Sequence, residues 1–187
     1  MSEKFRKDLT QGSVTKQLLK FSVPFLLSNL LQALYSVADM VIVGQFCGKS
    51  GITGVSIGGQ INLLVTGAAL GLAIGGTVLI AQYGGAKKYD DQKSTIGTMT
   101  TLYIILSAVF TVVMVLLTKP ILRLLKTPDN AFEEAVRYLT ICMLGTVFMF
   151  LYNVISAILR GMGDSKRPLY FVAIAAAVNV VGDIVLV

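Results

Sequence analysis

The stretch FSVPFLLSNLLQALYSVADMVIVG, from Phe21 to Gly44, decides the fold class. Its 24 residues contain one charged side chain, Asp39, and are otherwise mostly apolar. An α-helix rises 1.5 Å per residue, so about 20 residues cross the hydrocarbon core of a bilayer. The stretch is therefore predicted to form a membrane-spanning helix.

Similar apolar runs follow it at positions 52–83, 96–117, 138–159 and 169–187. Hydrophobic residues make up 55% of the 187 residues and charged residues only 14%, which is too few charges for the surface of a soluble domain. The runs are also too long, and alternate too little, for the strands of an outer-membrane barrel. We predict an all-α, polytopic membrane protein, with a polar segment at 1–20 and a membrane domain of five spans at 21–187.

The loops between these runs indicate an orientation. With the N-terminus in the cytoplasm, the inner segments carry 11 Lys and Arg residues and the outer ones 5. This bias predicts a cell-membrane protein with a cytoplasmic N-terminus and Lys49 outside. The outer segment 119–137 is expected to include a short amphipathic piece at 121–125, lying on the membrane surface. Because the fifth run reaches the last residue, we expect a fragment of a longer protein.

The first span carries a stripe of polar residues. At intervals of three or four residues, and so on one face of the helix, lie Asn29, Gln32, Ser36 and Asp39, with Tyr35 beside them. A charged carboxylate at the centre of a membrane helix costs about 2.5–3.5 kcal/mol on insertion scales. The stripe is therefore expected to face a hydrated cavity or other helices. For Asn29 and Gln32, hydrogen bonds between helices are an equally good explanation.

The fifth span carries Asn179 and Asp183, four residues apart and so on one helix face. Asp39 lies about 28 Å along its helix from Lys20, and Asp183 about 24 Å from Arg167. Both carboxylates therefore lie at a similar depth. If the two helices are neighbours, the carboxylates can share one Na⁺ or one proton. Two adjacent carboxylates in a low dielectric cannot both stay charged without such a partner. The alternative for Asn179 and Asp183 is a purely structural contact.

Several other features lead to weaker expectations. Pro24 should kink the first span. Gly67, Gly71 and Gly75 have the spacing of close helix packing. The segment RGMGDSKRP, at 160–168, is expected to be a cytoplasmic turn that anchors the chain by its positive charge. Asn153, in the fourth span, is a further candidate for a cavity lining.

No histidine is present, which excludes catalysis, metal sites and proton relays that use histidine within this chain. There is also no cluster of metal ligands and no nucleophile elbow of the G-x-S-x-G type. The chain is therefore not expected to be an enzyme.

Five segments, in order along the chain, are similar to those of the multidrug and toxic compound extrusion (MATE) family. They are LTQGSVTKQLLKFSVPFLL (9–27), ADMVIVGQFCG (38–48), NLLVTGAALGLAIGGTVLIAQYGGAKK (62–88), RGMGDSKRP (160–168) and NVVGD (179–183). The resemblance implies twelve helices in two lobes of six. This chain would be most of the N-terminal lobe, without its sixth helix and without the C-terminal lobe.

The resemblance also implies antiport, in which cationic amphipathic drugs are exported in exchange for Na⁺ or H⁺ without a resident cofactor. The family's first-helix aspartate matches Asp39, and the glutamine seven residues before it matches Gln32. Its fifth-helix asparagine and aspartate match Asn179 and Asp183, whereas a sixth-helix ligand would lie outside this chain. The expected partners are small cationic drugs, the lipid bilayer and the C-terminal lobe, and not nucleic acid.

An alternative function is that of a flippase for lipid-linked oligosaccharides, from a related transporter superfamily. Such a protein would be expected to line its cavity with Lys or Arg to meet phosphate groups. None of the five predicted spans contains Lys or Arg, and this favours cationic cargo.

Overall fold

A computed structural model describes the backbone of residues 12–46 and 48–186. Side chains at positions 39, 43, 46–55, 57 and 183–187 lie outside the described part. Within the described residues the secondary structure is entirely helical. The helices are α1 (Val14–Phe46), α2 (Gly48–Gly85), α3 (Tyr89–Leu124), α4 (Asp129–Leu144), α5 (Thr146–Gly161) and α6 (Lys166–Leu186).

The helices cover the positions of the five predicted spans. In the described part of the chain, α1, α2 and α3 are each long and apolar enough to cross a membrane. Helices α4 and α5 meet at Gly145 with a bend of 43° and count as a fourth crossing if taken as one broken span. Helix α6 contains the fifth predicted span. The all-α fold class is confirmed, while the limits of each span within the bilayer stay predictions.

The hydrophobic core is built by α2, α3, α4 and α5, with Met162 just after α5. Among the described residues, its buried members include none from α1 or α6. Phe150 of α5 is fully buried at its centre, with ring centroids 5.9 Å from Tyr103 and 5.5 Å from Phe110. The Tyr103 hydroxyl donates a hydrogen bond to the carbonyl oxygen of Ala69 in α2. These contacts make the four helices one packed unit.

Close approach between helices occurs at Gly58, four residues after Gly54 and so at small-residue spacing, and at Gly161. A Cβ added at Gly161 would lie 2.9 Å from the Thr77 carbonyl oxygen, and one at Gly58 would lie 2.6 Å from the Tyr138 ring. By contrast, Gly67, Gly71 and Gly75 are exposed, with no described atom within 4 Å of an added Cβ. No described helix packs against this row, so its role in close helix packing stays a prediction.

The segment predicted as an outer surface loop is mostly helical. Helix α3 continues through Pro120 to Leu124, and α4 already begins at Asp129. Leu122 is fully buried and belongs to the hydrophobic core. A separate amphipathic piece at 121–125 is therefore wrong, because the segment continues α3 and Leu122 packs in the core, whereas Leu124 and Leu125 are exposed.

The RGMGDSKRP segment is more buried, and more tightly hydrogen-bonded, than was expected of a cytoplasmic turn. Residues 161–165 of this turn are all buried, and Gly163 has a positive φ of 84°. The Asp164 carboxylate accepts hydrogen bonds from the backbone N–H groups of Lys166 (3.0 Å) and Arg167 (3.4 Å) at the start of α6. Asp164 thereby satisfies free N–H groups that every helix has at its N-terminus.

One expectation about a single residue stays untested and another changes. Helix α1 is continuous across Pro24, which does not decide whether it bends there, so the kink stays a prediction. Arg160, taken to lie in the loop, belongs to the last turn of α5 and is partly buried.

The glycine contacts lead to a test of the packing. We expect Gly161→Ala to lower stability by about 1–3 kcal/mol, because the new methyl group would overlap the Thr77 carbonyl oxygen. Gly71→Ala should leave stability unchanged or raise it slightly, because its methyl group meets open space and alanine favours a helix. Thermal unfolding in detergent measures both. Equal effects of the two variants would contradict the described contact between α2 and α5.

Candidate functional site

Helices α1 and α6, which carry the predicted polar residues, lie against each other. They pack together more extensively than any other pair of helices in the described structure. The predicted cation site requires these helices to be neighbours, and the structure shows that they are.

The α1 polar stripe lies partly within the protein. Gln32 and Tyr35 are partly buried, whereas Asn29 and Ser36 are exposed. Leu26 and other apolar residues of α1 are exposed as well, so α1 lies at the edge of the bundle. The described helices therefore leave one side of the stripe uncovered.

Gln32 connects α1 to α5. Its Nε2 atom lies 3.4 Å from the hydroxyl oxygen of Tyr152, to which it donates a long hydrogen bond. The backbones of α1 and α5 approach each other at few points, so this contact depends on the length of both side chains. Tyr152 was not singled out from the sequence, although it stands beside Asn153 as one of two adjacent polar residues in the fourth span.

Asn153 is buried, 5% exposed, and its amide is used within its own helix. Its Nδ2 atom donates to the Met149 carbonyl oxygen at 2.8 Å. The Met149 sulfur accepts a hydrogen bond from Thr66 Oγ1 of α2 at 3.0 Å. These contacts place Asn153 in a tightly packed region of α5, and its role in a cavity lining stays a prediction.

Asn179 is the described member of the predicted cation site. Its Oδ1 atom is buried and has no hydrogen-bond partner among the described residues. A buried, unsatisfied polar group costs about 1–3 kcal/mol, so a partner outside the described atoms is expected. An amide oxygen is a hard ligand and suits a hard cation such as Na⁺.

Asp39 and Asp183 lie within α1 and α6, but their side chains fall outside the described part of the structure. In the described part, no group of three or more His, Cys, Asp or Glu residues could hold a metal ion. The shared site of Asp39, Asn179 and Asp183 is therefore supported by the α1–α6 packing and the free Asn179 oxygen, and it stays a prediction.

Comparison with known proteins identifies the family. The MatE family model matches residues 24–185. Two probable multidrug resistance proteins of Bacillus subtilis strain 168 are similar: YpnP, 37% identical over 174 residues, and YoeA, 34% identical over 171. The matches cover 93% and 91% of this chain but only 39% and 37% of the relatives, so the chain spans about two fifths of their length.

A solved structure agrees in fold. It is described as the outward-facing conformation of a multidrug resistance MATE family transporter of the MOP superfamily, and it superposes with a TM-score of 0.87 at 24% identity. The superposition covers 98% of this chain and 40% of that one, as expected for most of one lobe. Because the family match covers most of the sequence, the chain belongs to the MatE family of multi-pass membrane transporters.

Proposed function

We propose that this chain forms the ion-coupling part of an antiporter that exports cationic, amphipathic small molecules in exchange for Na⁺ or H⁺. The observation that carries the proposal is the buried, unpartnered Oδ1 atom of Asn179 in α6, the helix that packs against α1. Asp183 lies one turn further along α6, and Asp39 lies on α1. Together they would offer amide and carboxylate oxygens to one cation.

The coupling ion is a substrate of this site and not a resident cofactor. Two carboxylates that approach each other in a low dielectric need a bound cation or a proton between them. Binding would draw α1 and α6 together, and release would separate them. Because α1 and α6 contribute no buried member to the described hydrophobic core, such a movement leaves the α2–α5 unit intact.

The cargo would lie along the uncovered side of α1. Gln32, Tyr35 and Tyr152 offer hydrogen bonds and aromatic faces, and aromatic faces attract organic cations. Suppose that α1 binds the cargo in one position and the ion in another. Binding of the cargo then weakens binding of the ion, and the reverse, which is the requirement for exchange. Coupling energies between sites are typically about 1–3 kcal/mol.

The flippase alternative has one observation in its favour, the guanidinium of Arg160 in α5. This residue lies in the last turn of the helix, over the ring of Phe25. The side chains of Gln32, Tyr35 and Tyr152 nearer the middle of the helices carry no charge at neutral pH. Cationic cargo therefore fits the described residues better than a phosphate-bearing lipid sugar.

The coupling site is tested by transport in proteoliposomes. The protein to be tested is a chimera, in which this chain replaces the matching 174-residue segment of the Bacillus subtilis relative YpnP. The rest of YpnP then supplies the remaining part of the transport pathway. We expect Asp39→Asn to abolish export driven by either a Na⁺ or an H⁺ gradient. Asp183→Asn should do the same, and the double variant should be little worse than either, because the residues act as a unit. Export by Asp39→Asn at the unsubstituted rate under both gradients would refute the proposed site.

The same assay on residues 1–187 alone provides a control. We expect no export, because alternating access needs two bundles that move against each other. Ion-driven efflux from vesicles that contain only this chain would show that copies of it assemble into a complete pathway.

The proposed orientation is tested by cysteine labelling in intact cells. The side chain of Lys49, predicted to lie outside, is not described, so we choose exposed positions at opposite ends of α3: Lys88 and Arg123. In a background without Cys47 and Cys142, an impermeant reagent should label Arg123→Cys in intact cells and Lys88→Cys only after lysis. The reverse pattern would place the N-terminus outside.

A further inference from the structure

Arg160 lies at one end of a line of side chains between α1 and α5, which we call the α1–α5 seam. The Arg160 guanidinium carbon is 5.6 Å from the centre of the Phe25 ring, and Gln32 and Tyr152 meet two turns further along both helices. Ser156 stands between Tyr152 and Arg160 at four-residue spacing on α5.

The charge of Arg160 has no anionic partner among the described residues. The described ion pairs join Lys93 to Asp90 and Arg167 to Asp164. Asp164, the acidic residue nearest to Arg160 in the sequence, also accepts two backbone N–H groups of α6. A partly buried cation without a counter-charge is unfavourable, so an anion should complete this site.

Arg160 is only partly buried, so an anion from outside the protein can reach its guanidinium. A guanidinium carries five N–H donors in one plane and binds a planar or tetrahedral anion through pairs of them. Next to it along α5, Ser156 is fully buried, 0% exposed, so the anion would contact Arg160 and not the Ser156 hydroxyl.

We propose that Arg160 binds the phosphate group of a membrane phospholipid at this end of the α1–α5 seam. Phe25 lies five residues after Lys20, about 7.5 Å further into α1, which corresponds to the headgroup side of the hydrocarbon layer. Leu26 of α1 is exposed beside it and would contact the acyl chains. The bound lipid ties α1 to the α2–α5 unit, and the proposal does not depend on the coupling site.

The test is native mass spectrometry of the purified 187-residue chain in detergent, with phosphatidylglycerol, with a galactosyl diacylglycerol that has no phosphate, and with inorganic phosphate. We expect one phosphatidylglycerol molecule per chain and much weaker retention of the galactolipid. Arg160→Gln should weaken phosphatidylglycerol binding by at least about tenfold, because charge-assisted hydrogen bonds are lost. Arg160→Lys should bind with intermediate affinity, since it keeps the charge but not the paired geometry.

The matched control is Arg123→Gln. Arg123 is likewise a basic residue in the last turn of a helix, but it is exposed at the far end of α3. Its substitution should leave lipid retention unchanged. If Arg160→Gln does not fold, Phe25→Leu keeps the guanidinium and should weaken binding several-fold.

Three results would overturn the proposal. They are equal phosphatidylglycerol binding by Arg160→Gln and the unsubstituted chain, equal retention of the galactolipid and phosphatidylglycerol, and binding of inorganic phosphate without any lipid. The third result would reassign the site to a soluble anion.

Discussion

A polar side chain inside a bilayer has no water to bond with, so it must find its partner within the protein or in a bound ligand. This constraint acts on α1, whose stripe of polar residues includes a carboxylate. It acts equally on α6, which packs against α1 and carries Asn179 and Asp183 in its C-terminal half. The proposed coupling site follows from the same need, since a cation is the natural partner of oxygens gathered in a low dielectric.

The described structure divides into two parts with different physical characters. Helices α2 to α5 enclose an apolar core around Phe150, with backbone contacts at Gly161 so close that even a methyl group would overlap them. Helices α1 and α6 form a pair at its edge, with Ser28 and Val172 among their few buried residues. A well-packed unit resists deformation, whereas a pair of helices at its edge with few buried side chains can shift. Ion-dependent movement is therefore best placed in the α1–α6 pair.

Much of this architecture could be predicted from the sequence, because membrane helices show themselves by the length of their apolar runs. The all-α class was reached in that way, whereas the neighbourhood of α1 and α6 was only assumed and is shown by the structure. The glycine row at Gly67, Gly71 and Gly75 meets no described helix, because spacing alone does not tell which face of a helix meets a neighbour. The segment 121–125 was misjudged for a related reason: an apolar side chain such as Leu122 is buried equally well by protein or by lipid, and a local pattern does not distinguish the two.

The candidate site could be predicted in part. Asn179 was found because a polar residue in an apolar run is conspicuous, and its unpartnered oxygen fits that expectation. Tyr152 and Arg160 were missed because their importance arises from α1 side chains 120 and 135 positions away in the sequence, Gln32 and Phe25. Contacts of that kind depend on how the helices are arranged and leave no periodic signal in the sequence.

The central claim is that Asp39, Asn179 and Asp183 hold one cation between α1 and α6. The most direct measurement is the equilibrium exchange of Na⁺ for protons on the purified chain, with bound Na⁺ and released protons counted together. The account predicts that added Na⁺ binds at one site per chain and displaces protons, and that Asp39→Asn and Asp183→Asn each abolish the exchange. Exchange that persists unchanged in both variants, or its absence from the unsubstituted chain, would contradict the account.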